Sequence, residues 1–139
     1  MNDNESLVPA EWYTYAARDL GSAKALLGDR EEFLAIAGML LQQAVEKYLK
    51  GYLLSKGWKL VRTHHLGQLL KALIEYEKDF AEFEDACLKI TFFYLEHRYP
   101  IRVTSPLVRA NIEKLFTEAD VLIARIQSRA APPSDTTAE

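Results

Sequence analysis

The sequence predicts an all-α fold, an antiparallel up-and-down bundle of about five helices. Three observations carry that expectation. Apolar residues recur at three- and four-residue steps along most of the chain, and alternating runs of β-branched residues are missing. No proline stands between Pro9 and Pro100, so nothing in that span forces a helix to break. The interruptions of the periodicity are short, and short connections set neighbouring helices antiparallel.

A first helix is expected over residues 9–27. Tyr13, Ala16, Leu20, Ala23 and Leu27 form its apolar stripe, Pro9 suits its opening turn, and Gly28, Asp29 and Arg30 close it. The second helix, starting near Glu31 and stopped by Gly57, is the most apolar. Leu34, Leu41, Val45, Tyr48 and Tyr52 line one stripe, and Ala37, Leu40, Ala44 and Gly51 line another. That leaves Gln42, Glu46 and Lys50 as the main polar ridge. A helix apolar over so wide an arc belongs at the centre, against several neighbours.

Thr63 is placed to cap a third helix, "HHLGQLLKALIEY". Asp79 with Glu82 three residues on resembles a capping box for the fourth. Its stripe runs through Phe80, Phe83, Cys87, Ile90, Tyr94 and His97, and it should end near Arg98, because Pro100 disfavours helical geometry at Tyr99. Ser105 and Pro106 read as the start of a fifth helix carrying Val108, Ile112, Leu115, Ala119, Leu122 and Ile126. The expected organisation is a flexible N-terminus at 1–8, one helical bundle at 9–129 and a disordered tail at 130–139.

With 139 residues, the chain is long enough for one core without disulfides or metals. A net charge of −3 supplies no overall cationic field for nucleic acid or anionic lipid, which leaves only a local basic patch for such partners. The single cysteine, Cys87, cannot form an intramolecular disulfide and reads as a small buried hydrophobe. The start lacks the basic and apolar regions of a signal peptide, and no stretch has the length of a membrane span. A cytoplasmic protein with no membrane partner is expected. Thirteen Phe and Tyr plus two Trp exceed what one small core hides, which points to a homodimer interface.

His64 and His65 are adjacent, so their side chains diverge, and no HExxH or Cys/His pair occurs; no metal is expected. The scattered glycines form no phosphate-binding loop. No cofactor is expected.

Four motifs belong together: "WYTYAARDLGSAKALL", "QQAVEKYLKGYL", "RTHHL" and "YLEHRYP". As a set, over about residues 9 to 126, they resemble the HEPN family, small helical domains widespread in prokaryotes. The resemblance implies an antiparallel bundle that usually forms a symmetric homodimer. It also implies a partnership with a small nucleotidyltransferase as a toxin–antitoxin pair. Catalytic members are metal-independent ribonucleases whose signature is an arginine followed, after four to six intervening residues, by histidine.

That signature is missing at every histidine here. For His97 the arginine would fall among Ile90, Thr91 and Phe92; for His64 and His65 it would fall among Gly57, Trp58, Lys59 and Leu60; and no histidine follows Arg98. Arg98 can stabilise a phosphate but cannot exchange a proton near neutrality. Adjacent side chains on a helix diverge by about 100°, so His97 and Arg98 would act together only across a dimer or at a distorted helix end.

Each candidate residue therefore has two readings. Arg98, with Tyr99 and Arg102 beyond it, either satisfies the last carbonyls of its helix or contacts an anion. His97 either extends the apolar stripe or serves as a base. Gln43, Lys47 and Lys50 form either a solvated ridge or a polar strip facing a cleft, where lysines hold phosphate and Gln43 bonds a base or ribose. His64 belongs first to the start of the third helix and second to a site. The leading expectation is a homodimeric, non-enzymatic domain that binds a nucleotide, an RNA or a protein partner through this polar cleft. The alternatives are a divergent ribonuclease toxin using His97 or His64 with Arg98, and a purely structural interaction subunit.

Overall fold

Pro9 opens α1 (Pro9–Leu27), where its missing N–H costs nothing. Ahead of it, the Ser6 hydroxyl accepts a hydrogen bond from the Val8 N–H at 2.9 Å. A short 3₁₀ turn, Glu31–Phe33, leads into α2 (Leu34–Ser55). This computed structural model describes the backbone of residues 5–98 and 109–130, and the side chains of those residues except 93–98. Among the described residues, α3 (Leu66–Tyr76), a second 3₁₀ segment (Lys78–Phe83), α4 (Glu84–Arg98) and α5 (Arg109–Ala130) complete the architecture, and no strand occurs. The expected fifth-helix start at Ser105 and Pro106 lies outside the described residues, as does the tail beyond Ala130.

Gly57 ends α2 as its position implies. Its φ of 89° is a left-handed conformation that glycine adopts without steric cost. The Trp58 N–H reaches the Leu53 carbonyl and the Gly57 N–H the Leu54 carbonyl, both at 3.1 Å. This is the paired closure that satisfies the orphan carbonyls of a helix end.

Two expected caps fall elsewhere. His65, rather than Thr63, is the N-cap of α3: its Nδ1 accepts from the Gln68 N–H at 3.3 Å. Thr63 sits earlier, with its hydroxyl accepting from the His65 N–H at 3.1 Å and donating to Gln68 Oε1 at 2.9 Å. Asp79 does not open α4 either. It lies in the 3₁₀ segment, and its carboxylate receives Arg125 and Arg129 from α5, a long-range pairing that displaces a local cap.

α2 is the central helix, in contact with α1, α3, α4 and α5. Its most extensive contact is with α1. Passing forward along α1 from Tyr13 to Asp19 corresponds to passing backward along α2, from Gly51 beside Tyr13 to Lys47 beside Asp19. The two helices are therefore antiparallel. Gly51 permits this close approach, since a Cβ there would lie 2.7 Å from the Tyr13 ring and 3.1 Å from Trp12 Cβ. α5 returns along α1, with Lys24 meeting Asp120 and the Arg109 guanidinium donating to the Leu27 carbonyl.

The core runs continuously from Ala16 and Ala23 through Leu41, Val45, Leu49 and Leu53 to Leu69, Leu73, Cys87, Ile90 and Ile112. Cys87 is fully buried, and burial pushes its thiol up to about 12. At one end, Phe80 of the 3₁₀ segment meets Tyr52 of α2 at 6.1 Å and Phe83 at 6.0 Å between ring centroids. The described helices include none long and apolar enough to cross a membrane.

Candidate functional site

Gln42, Glu46 and Lys50 stand one turn apart on α2 and form its main polar ridge. They are buried, with exposures of 0%, 6% and 2%. Helical periodicity identifies a polar face; it does not say what covers it. Here the cover is the segment leading into α3. The Gln42 side-chain amide donates to the His64 carbonyl at 2.8 Å and fastens that segment over the ridge.

Donors from three side chains converge on the Glu46 carboxylate. Lys50 Nζ lies 2.9 Å from Oε2 and Gln42 Nε2 lies 3.3 Å from Oε1. His64 Nδ1 lies 3.0 Å from one carboxylate oxygen and 3.1 Å from the other. An ionised carboxylate only accepts hydrogen bonds, so this geometry assigns a proton to His64 Nδ1. A buried charge is tolerated when it is paired, and Glu46 pairs with Lys50 while accepting from two further side chains.

Above the pair, Lys50, Arg62, Thr63, His64 and Glu5 line a pocket of about 410 Å³. Arg62 is exposed, the His64 side chain is 62% exposed, and Lys50 forms the buried floor. Glu5 reaches the pocket because its segment is tied to α1: Trp12 Nε1 donates to the Ser6 carbonyl at 2.8 Å, and the Ser6 hydroxyl donates to Glu11 at 2.5 Å. The Trp12 ring also lies 5.4 Å from Lys50 Nζ, a favourable position for a cation. A second pocket shares Glu5 and is lined by Trp12, Tyr15 and Lys47.

The structure thus brings Lys50 and His64 together and places Lys47 in the adjoining pocket. Lys47 is half-buried in an ion pair with Asp19 of α1, and Gln43 is half-buried. His97, Arg98, Tyr99 and Arg102 cannot be placed against this cleft: the α4 backbone is described through Arg98, but the side chains of His97 and Arg98, and all of Tyr99 and Arg102, lie outside the described residues.

Sequence reasoning missed Glu46, Arg62, Thr63 and Glu5 as parts of one site. The available signal was the spacing of Gln42, Glu46 and Lys50 at successive i,i+4 positions together with the histidine of the "RTHHL" motif. Nothing local in sequence joins α2 to a segment so far along the chain. Among the described residues, no group of three or more His, Cys, Asp or Glu is placed to hold a metal ion.

Comparison with curated proteins and with solved structures returned no match. The motif set that suggested a family from sequence is nevertheless matched over nearly the whole described fold: the family model of the HEPN domain aligns with residues 9–128, and the chain belongs to the HEPN family.

Proposed function

We propose that this HEPN domain binds a phosphate-bearing ligand, a nucleotide or an RNA strand, in the pocket of Lys50, Arg62, Thr63 and His64, and that it does so without cleaving it. One observation carries the reading: a lysine is buried at the floor of a polar pocket, held in place by Glu46, beneath an exposed arginine, a hydroxyl and an imidazole. Burying Lys50 is costly unless its charge serves the pocket or is neutralised, and Glu46 neutralises it while leaving the ammonium against the cavity. The guanidinium offers the directional donors that phosphate oxygens accept. Arg62 makes no ion pair among the described residues.

Titration of purified protein with ATP and with a short oligouridylate, followed by calorimetry, tests this. Charge-assisted hydrogen bonds contribute about 1.5–3 kcal/mol, so Arg62→Ala is expected to weaken binding by about ten- to a hundredfold. Equal affinity of the variant and the native protein would remove the pocket from consideration. Degradation of the oligouridylate by the native protein without added metal, lost in His64→Ala, would replace the binding reading with a ribonuclease.

Self-association is part of the same proposal. Leu88 and Phe92, four residues apart on α4, are 65% and 45% exposed, an apolar pair that water does not favour. Light scattering at micromolar concentration is expected to give twice the chain mass of 15.9 kDa. A monomer mass would contradict the dimer.

A further inference from the structure

The second pocket adjoins the first and differs from it in chemistry. Trp12 and Tyr15 of α1, Lys47 of α2, Ser6, Glu5 and Glu11 line a volume of about 550 Å³, within the range of about 300–1,000 Å³ of small-molecule sites. Carboxylates in the lining disfavour a phosphate, while the aromatic side chains offer a stacking surface to a flat, uncharged ring.

The aromatic pair is set in place before any ligand arrives. Trp12 and Tyr15 stand three residues apart and share a face of α1. Trp12 Nε1 donates to the Ser6 carbonyl at 2.8 Å, and Lys50 Nζ, from the floor of the first pocket, stands 5.4 Å from the Trp12 ring centroid. Tyr15 is 55% exposed, with the Arg18 guanidinium carbon 4.8 Å from its own centroid. Glu5 lines both pockets, and its Oε1 is shielded from water with no hydrogen-bond partner. An acceptor left unmet in this way is costly, and an N–H donor brought by a ligand removes the cost.

Resting on the phosphate site proposed above, we infer that this second pocket is its nucleobase subsite and that it prefers guanine. The base stacks on Trp12 and Tyr15, Glu5 accepts from its edge, and the neighbouring phosphate reaches Lys50 and Arg62. Carboxylate oxygens only accept hydrogen bonds. Guanine alone among the four RNA bases presents two adjacent donors, N1–H and N2–H, on its Watson–Crick edge, and that edge is free in an unpaired strand. Uracil presents one donor between two carbonyl acceptors, which a carboxylate repels.

The chain has two tryptophans, so Trp58→Phe leaves Trp12 as the sole emitter. Fluorescence titration of that variant with the dinucleotides UpG and GpU should give a saturable change in Trp12 emission, about tenfold tighter than with UpU. Guanosine monophosphate, run alongside, distinguishes a free nucleotide from a strand as the source of the base, and inorganic phosphate should leave the emission unmoved. Tyr15→Ala, at an exposed position that spares the fold, should weaken dinucleotide binding about tenfold. Glu5→Ala should abolish the preference for guanine. Calorimetry on the native protein repeats the comparison. Equal affinity for UpG, GpU and UpU overturns the guanine preference. Calorimetric binding that Arg62→Ala weakens, with Trp12 emission unmoved and Tyr15→Ala without effect, overturns the base subsite and leaves the phosphate site standing. No calorimetric binding of any of these ligands overturns both.

Discussion

Replacing Glu46 with alanine should lower the free energy of unfolding by about 3–5 kcal/mol, the cost of leaving one member of a buried ion pair without its partner. Lys50 is 2% exposed, so its ammonium would stay largely buried without its carboxylate partner. Gln42 and His64 would lose their shared acceptor in the same step. Glu46→Gln should cost less, because its amide oxygen still accepts from Lys50. Urea denaturation of the two variants reads the difference. A cost below about 1 kcal/mol for alanine, the range of an exposed pair, would mean that the Glu46–Lys50 pair contributes no more than a surface pair.

Phe80→Ala is the second large effect, expected at about 3–5 kcal/mol for removal of a fully buried aromatic ring. The ring does more than fill volume. It lies against Tyr52 of α2, and the guanidinium carbons of Arg125 and Arg129 of α5 stand 5.7 Å and 5.3 Å from its centroid. The same arginines bind Glu77, Asp79 and Glu82 around the 3₁₀ segment. Burial pushes the Glu77 carboxyl up, yet hydrogen bonds from Lys56, Tyr52 and Arg129 together hold it below its ordinary value. Removing the ring leaves a cavity under this network, so thermal unfolding should shift to lower temperature with the loss in stability. An unchanged midpoint would show that the segment contributes little to the fold.

The helical architecture was legible because each signal that defines it is local. Pro9 and Leu27 bound α1 as expected. Gly57 stops α2, and the breadth of its apolar arc identified it as the central helix. Cys87 occupies the buried stripe that its neighbours implied. Local reading failed where a distant segment competed. Asp79 carries the residue type and spacing of a cap, but Arg125 and Arg129 of α5 bind its carboxylate. Thr63 was plausible as a cap until the chain placed His65 at the helix start.

The site was legible only in fragments. Lys50 and His64 stand out separately as candidates, whereas Glu46, the carboxylate that joins them, reads only as part of a polar ridge. An i,i+4 pair such as Glu46 and Lys50 looks the same in sequence whether it lies on a surface or beneath a loop, and only the tertiary path of residues 62–65 distinguishes the two.

The most direct test of ligand binding at the α2–His64 pocket is an amide NMR titration of the native protein with oligouridylate at pH 6. The largest shift changes are expected at Lys50 and at Arg62, Thr63 and His64. Changes concentrated on other faces, or none at saturating ligand, would contradict it.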